Sequence, residues 1–126
     1  MSAPLDSRRP QLHFDCVFYY VRNIDLAIPF YRDVLGLKFI SRDAVARFNI
    51  DGVLFELVPA AANDVQPSSG NARLCLRVDN VAQALNHLRA KGVRTGPPVD
   101  KGAGVLGTFE DPDGNEIYLW QYSSKP

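Results

Sequence analysis

The sequence repeats itself. A β-branched, aromatic run, a capped apolar stripe at helical spacing and three short apolar runs occur in the same order twice. Val21 and Val78, Asn23 and Asn80, Ile24 and Val81 stand 57 residues apart, and Gly36 and Gly92 slip by one. That period is long for a solenoid, so two copies predict one internally duplicated domain. A chain of 126 residues has the volume to bury a core for it.

In the first copy, His13–Val21 reads as a strand, with Phe14, Cys16, Phe18 and Tyr20 on one face and Asp15, Val17, Tyr19 and Val21 on the other. Asn23 or Asp25 can cap a helix carrying Ile24, Ile28, Tyr31 and Leu35, with Gly36 as its stop. Pro29 fits such a helix only in its first turn, which predicts a start near Asp25. Strands follow at Leu37–Ser41, Val45–Ile50 and Val53–Val58, the last two joined by an Asp51-Gly52 turn. Residues 60–71 are rich in Pro, Ser, Gly and Asn and read as a linker between module one (12–59) and module two (72–122).

In the second copy, Arg73–Val78 is a strand, Asn80 a cap, and Val81, Ala84, Leu85 and Leu88 a helical stripe stopped by Gly92. Val93–Thr95, Val105–Glu110 and Ile117–Tyr122 supply three more strands. The last two flank Asp111-Pro112-Asp113-Gly114-Asn115, a dense turn signal. Alternation then sends Glu116, Tyr118, Trp120 and Tyr122 one way, and Ile117, Leu119 and Gln121 the other.

Charge and composition exclude several classes. Formal net charge is zero, so no nucleic-acid footprint is indicated. No apolar run approaches the ~20 residues that span a membrane. Residues 1–11 are polar, lack the apolar centre of a signal peptide and read as a frayed tail. Cys16 and Cys75 form no CxxC pair and read as reduced core thiols, which predicts a cytoplasmic protein. Nucleophile-elbow and HExxH motifs are absent. The glycines at 102, 104 and 107 precede a strand rather than a helix N-terminus, which argues for a lip or bulge and against a phosphate cradle.

The blocks Val21-x-Asn-Ile-Asp25, Phe30-Tyr31-Arg-Asp-Val-Leu-Gly36-Leu, Phe55-Glu56-Leu57, Val78-Asp-Asn-Val81 and Asp111-Pro-Asp-Gly-Asn115 resemble the glyoxalase/bleomycin-resistance/extradiol-dioxygenase (vicinal oxygen chelate) superfamily. The resemblance spans residues 12 to 122. It implies an α+β fold of two βαβββ modules forming a half-open barrel around a ligand cavity, commonly in a homodimer. It also implies where metal-dependent relatives place their ligands: here Cys16, Glu56, Arg73 and Tyr118. Only Glu56 keeps the expected residue type.

The substitutions change the chemistry. A divalent ion needs lone-pair donors, and Arg73 offers five N–H donors, no acceptor and a permanent charge. Tyr118 ligates only as a phenolate. Cys16 and Glu56 alone fall short of the three or four ligands of a zinc site. His13 and His87 read as surface histidines rather than ligands. Arg73 is therefore expected to replace the metal, pairing with Glu56 across the cavity or binding an anionic ligand group; the alternative is that it reaches to solvent. Strand parity adds Phe18, Tyr20, Leu54, Val58, Cys75, Trp120 and Tyr122 to the cavity face, where the aromatics either stack on a ligand or fill the barrel as core.

The first functional expectation is a small-molecule-binding protein without a metal, of the bleomycin-resistance type, taking an aromatic or heterocyclic ligand. The second is a lyase, isomerase or dioxygenase using an atypical site for zinc, nickel, iron or manganese, or Glu56 as catalytic base. The third is a ligand sensor or accessory subunit.

Overall fold

A computed structural model describes residues 11, 13–60 and 72–123. Except for Gln11 and Ala60, the expected tail and linker lie outside the described residues. The first module runs β1 (Val17–Val21), α1 (Ile24–Pro29), a π-helical turn (Phe30–Val34), β2 (Lys38–Arg42), β3 (Ala46–Ile50) and β4 (Val53–Pro59). The second runs β5 (Leu74–Arg77), α2 (Val81–Ala90), β6 (Val99–Asp100), β7 (Gly104–Glu110) and β8 (Glu116–Tyr122).

The duplication is visible in the topology. Each module forms a four-stranded sheet, in the orders β1-β4-β3-β2 and β5-β8-β7-β6. In both, the first strand pairs in parallel with the last, and the other neighbours are antiparallel. The sheets do not join into a closed barrel, as a half-open barrel requires. Among the described residues, no helix is long and apolar enough to cross a membrane.

One core serves both modules. Tyr31, Phe48, Phe55 and Leu57 from the first share a buried cluster with Leu85, Phe109, Ile117 and Leu119 from the second. Strand alternation puts these residues on one face of each sheet and leaves Glu56 and Tyr118 on the other. Asn80 caps α2 through the Gln83 N–H, and Asn23 caps α1 through the N–H groups of Asp25 and Leu26.

Four local expectations need correction. Pro29 is not in the first turn: it is the sixth residue of α1. Proline has no N–H to continue the α ladder, and the helix widens into a π turn in which the Leu35 N–H reaches Phe30 O at 3.0 Å. The first strand begins at Val17, because residues 13–16 engage no partner strand in the ladder. Val93–Thr95 is not a strand: only Thr95 bridges to Phe109, and the edge pairing moves beyond Pro97-Pro98 to Val99–Asp100. The cysteines are free but not core thiols, since Cys16 is half-buried and Cys75 exposed on the faces opposite the core.

The turn between β7 and β8 ties the modules together. Asp111 and Asn115 are its buried polar residues. Asp111 Oδ1 accepts from the Asp113 and Asn115 N–H groups at 2.9 and 2.8 Å. Its Oδ2 accepts from Tyr31 Oη at 2.6 Å and Asn115 Nδ2 at 2.9 Å. Asn115 Nδ2 also donates to Tyr20 O at 2.9 Å, so the second module's hairpin grips both β1 and the π turn. Below the turn, Tyr19 Oη accepts from the Leu74 N–H at 2.6 Å and donates to Glu116 O at 3.0 Å.

Removing the Tyr31 hydroxyl strands one lobe of a buried carboxylate. Tyr31→Phe is expected to cost about 1–3 kcal/mol in urea denaturation at neutral pH. Burial and the neighbouring Asp111 hold the Tyr31 phenol well above its ordinary range. The unfolded chain therefore ionises first, and this contribution to stability is intact below about pH 10 and falls as pH rises above it. Tyr31→Phe should flatten that alkaline loss; an unchanged slope would place the effect elsewhere.

Candidate functional site

The coreless face of each sheet carries a small polar cluster beside aromatic side chains. In the first sheet the register sets Phe18 opposite Glu56 and Arg47 opposite Glu56. Glu56 is thus flanked on both sides. Its Oε2 lies 3.4 Å from Arg47 Nε, and its Oε1 accepts from the Cys16 thiol at 3.8 Å. Arg47 also reaches Asp43 Oδ2 at 2.8 Å and Ser41 Oγ at 3.3 Å through Nη1. Partial burial, then the negative charges of Glu56 and Asp15, push the Cys16 thiol up, so it favours the protonated form rather than a nucleophilic or metal-binding thiolate.

In the second sheet Cys75 stands opposite Tyr118, and Arg77 opposite Trp120. Arg73 Nε donates to Glu116 Oε1 at 3.0 Å, and that bond raises the Arg73 pKa further. The expected Arg73–Glu56 pair does not form within one chain. The register explains both outcomes. Leu74 faces Ile117, so Arg73 comes beside Glu116 one step earlier, while Arg47 already sits across from Glu56. The structure therefore groups Cys16 with Glu56, and Arg73 with Glu116, in separate clusters on separate sheets.

The sheet registers also identify equivalent positions. Val17 faces Phe55 in one module, and Leu74 faces Ile117 in the other. By that correspondence Glu56 and Tyr118 occupy the same place, as do Cys16 and Arg73. Arg47 was missed in the sequence reading, yet its signal was there: counting back from the Asp51-Gly52 turn pairs Ile50 with Val53 and, three steps on, Arg47 with Glu56.

The aromatics of this face are not core. Phe18 is 44% exposed and Tyr122 48%, and the Tyr20, Tyr118 and Trp120 side chains are half-buried. They meet in edge-to-face pairs, Phe18 with Tyr20 at 5.3 Å and Trp120 with Tyr122 at 5.9 Å between centroids. Leu54 and Val58, also half-buried, flank Glu56. His87 is exposed on α2, away from both clusters.

The donor set does not suit a divalent ion. Among the described residues no three His, Cys, Asp or Glu side chains converge. Of the four positions that the resemblance assigns to ligands, one is a fixed cation and one a thiol pushed toward its neutral form.

The profile of the Glyoxalase/Bleomycin resistance protein/Dioxygenase superfamily matches residues 13–119. "Lactoylglutathione lyase GLX1" of Arabidopsis thaliana is 25% identical over 98% of this chain and 48% of that protein, so the chain spans about half the length of this curated relative. "Probable lactoylglutathione lyase" of Synechocystis is 28% identical over 83% of this chain and 92% of that one. Among solved structures, TnmS3, an antibiotic binding protein from Streptomyces sp. CB03234, superposes with a TM-score of 0.67 at 26% identity, covering 90% of this chain and 100% of that one.

The Glu56 charge is a removable part of the Cys16 environment. In a Cys75→Ser background, Glu56→Gln should speed alkylation of Cys16 by iodoacetamide about two- to fivefold at mildly alkaline pH, because more thiolate forms. An unchanged rate would show that burial and Asp15 set the thiol without Glu56.

Proposed function

We propose that this chain, which belongs to the Glyoxalase/Bleomycin resistance protein/Dioxygenase superfamily, is a small-molecule-binding member that takes an aromatic or heterocyclic ligand without the superfamily's divalent metal. The observation that carries this reading is Arg73. A permanent cation stands where the resemblance implies a metal ligand, and it is engaged by Glu116 at 3.0 Å. An ion brought there would meet a like charge, which disfavours it by Coulomb repulsion at short range. The half-exposed aromatics of both sheets offer stacking surface for a flat ligand. The antibiotic-binding neighbour supports the same direction.

In this reading Phe18, Tyr20, Cys75, Tyr118 and Trp120 are walls. Cys16, Glu56 and Arg73 are the polar contacts, with Arg47 added by the structure. The working unit is a homodimer. Both sheets bury one face in a single core, and their polar clusters do not meet within the chain. A second copy brings the Glu56 face of one chain to the Arg73 face of the other and encloses a cavity neither has alone.

A second reading, a lyase, is favoured by the names of the curated relatives and by the retained Glu56. There Glu56 serves as the base, or as one ligand of an atypical metal site. The two readings part on metal content. After dialysis against zinc, nickel, iron(II) or manganese, mass spectrometry should find well under one metal per chain, and no lactoylglutathione should form in the presence of any of them. Near one metal per chain, lost in Glu56→Ala, would replace the binding reading with the lyase.

Light scattering coupled to gel filtration should give the mass of a dimer. A monomer at micromolar concentration would sink the shared-cavity arrangement.

A further inference from the structure

Gly104 is buried at the start of β7, opposite Tyr122, on the same sheet face as Trp120. Its φ lies outside the left-handed region, so conformational freedom does not require glycine there. Space does. A Cβ at this position would meet the Gln121 carbonyl oxygen most closely, and would stand 2.5 Å from Trp120 Cζ2 and 2.7 Å from Cε2. Trp120 faces Leu106 in the register, so its indole reaches diagonally across the strand into the room Gly104 leaves. Tyr122 closes the other side, edge-on at 88°.

Resting on the aromatic-ligand reading above, we propose that Gly104 is a positioning residue: by carrying no side chain it seats the Trp120 indole down against β7 as a platform for a flat heteroaromatic ligand. Any larger residue lifts the ring into the space the ligand would occupy. Flatness is thus the feature the platform selects.

Trp120 is the only tryptophan, so intrinsic fluorescence reports this site directly. The test compares wild type with Gly104→Ala by emission, acrylamide quenching and ligand-observed NMR with quinoline, a flat heteroaromatic, and both with Gly104→Ala/Trp120→Phe by thermal unfolding. In Gly104→Ala the emission should move to the red, quenching should rise, and quinoline affinity should fall about three- to tenfold. The double variant, whose smaller ring clears the new methyl while the Gln121 carbonyl contact stays, should regain part of the lost thermal midpoint. Unchanged emission, quenching and quinoline affinity in a folded Gly104→Ala would overturn the seat. So would a double variant no more stable than Gly104→Ala, which would put the clash at the Gln121 backbone. If Gly104→Ala does not fold, restoration of folding by the second change decides the same question. Wild type that ignores quinoline while the quenching and rescue behave as expected would keep the seat and overturn the ligand class, and with it the aromatic-ligand reading.

Discussion

The arrangement depends on a buried carboxylate. Asp111 sits almost fully inside the protein and would be costly there without partners. Two backbone N–H groups, the Asn115 amide and the Tyr31 hydroxyl all donate to it. Three of those donors come from its own turn and one from the other module. The turn can therefore form locally, but its last acceptor lobe is satisfied only when the first module's π turn is in place. That couples the shape of the hairpin to the docking of the modules. Other contacts at this junction are worth less: Arg22 pairs with Asp113 with its own side chain 63% exposed, where solvent screens the charge.

The same docking determines which face each sheet leaves outside the core. A strand has two faces, and the shared core takes one from each sheet. Everything with chemistry is left on the other. On that face, nearest-neighbour register decides who pairs with whom. Arg47 and Arg73 each find a carboxylate one strand away, so both guanidiniums are held in place. The two modules, built on one plan, thereby carry unlike chemistry: an acid bracketed by a cation and a thiol in one, a cation answered by an acid in the other.

Much of this was legible in the sequence, and the failures have definite causes. The duplication, the caps at Asn23 and Asn80 and the placing of Cys16, Phe18, Tyr20, Tyr118 and Trp120 on the faces opposite the core follow from pattern and periodicity, which the chain cannot evade once a core forms. Pro29 misled because the rule for proline assumes an α ladder, and the helix changed its ladder instead. Val93–Thr95 had the composition of a strand but is followed by two prolines that move the pairing onward. The Arg73–Glu56 pairing rested on where relatives bring their ligands together. That reasoning carries positions but not partners, and the local register supplied nearer ones.

Gly104 illustrates a further limit on reading sites from side chains alone. Glycines at 102, 104 and 107 look alike in the sequence as a run suited to a lip. In the fold they do three jobs. Gly102 takes a φ of +84°, Gly107 admits Val81 and Leu85 of α2 from the core side, and Gly104 admits Trp120 from the opposite face. Only the last sets the place of an aromatic ring on the face outside the core, and it does so by what it lacks. A pocket wall is set as much by the positions that leave room for an aromatic ring as by the ring itself. In a duplicated fold, such positions let the two modules present differently shaped faces.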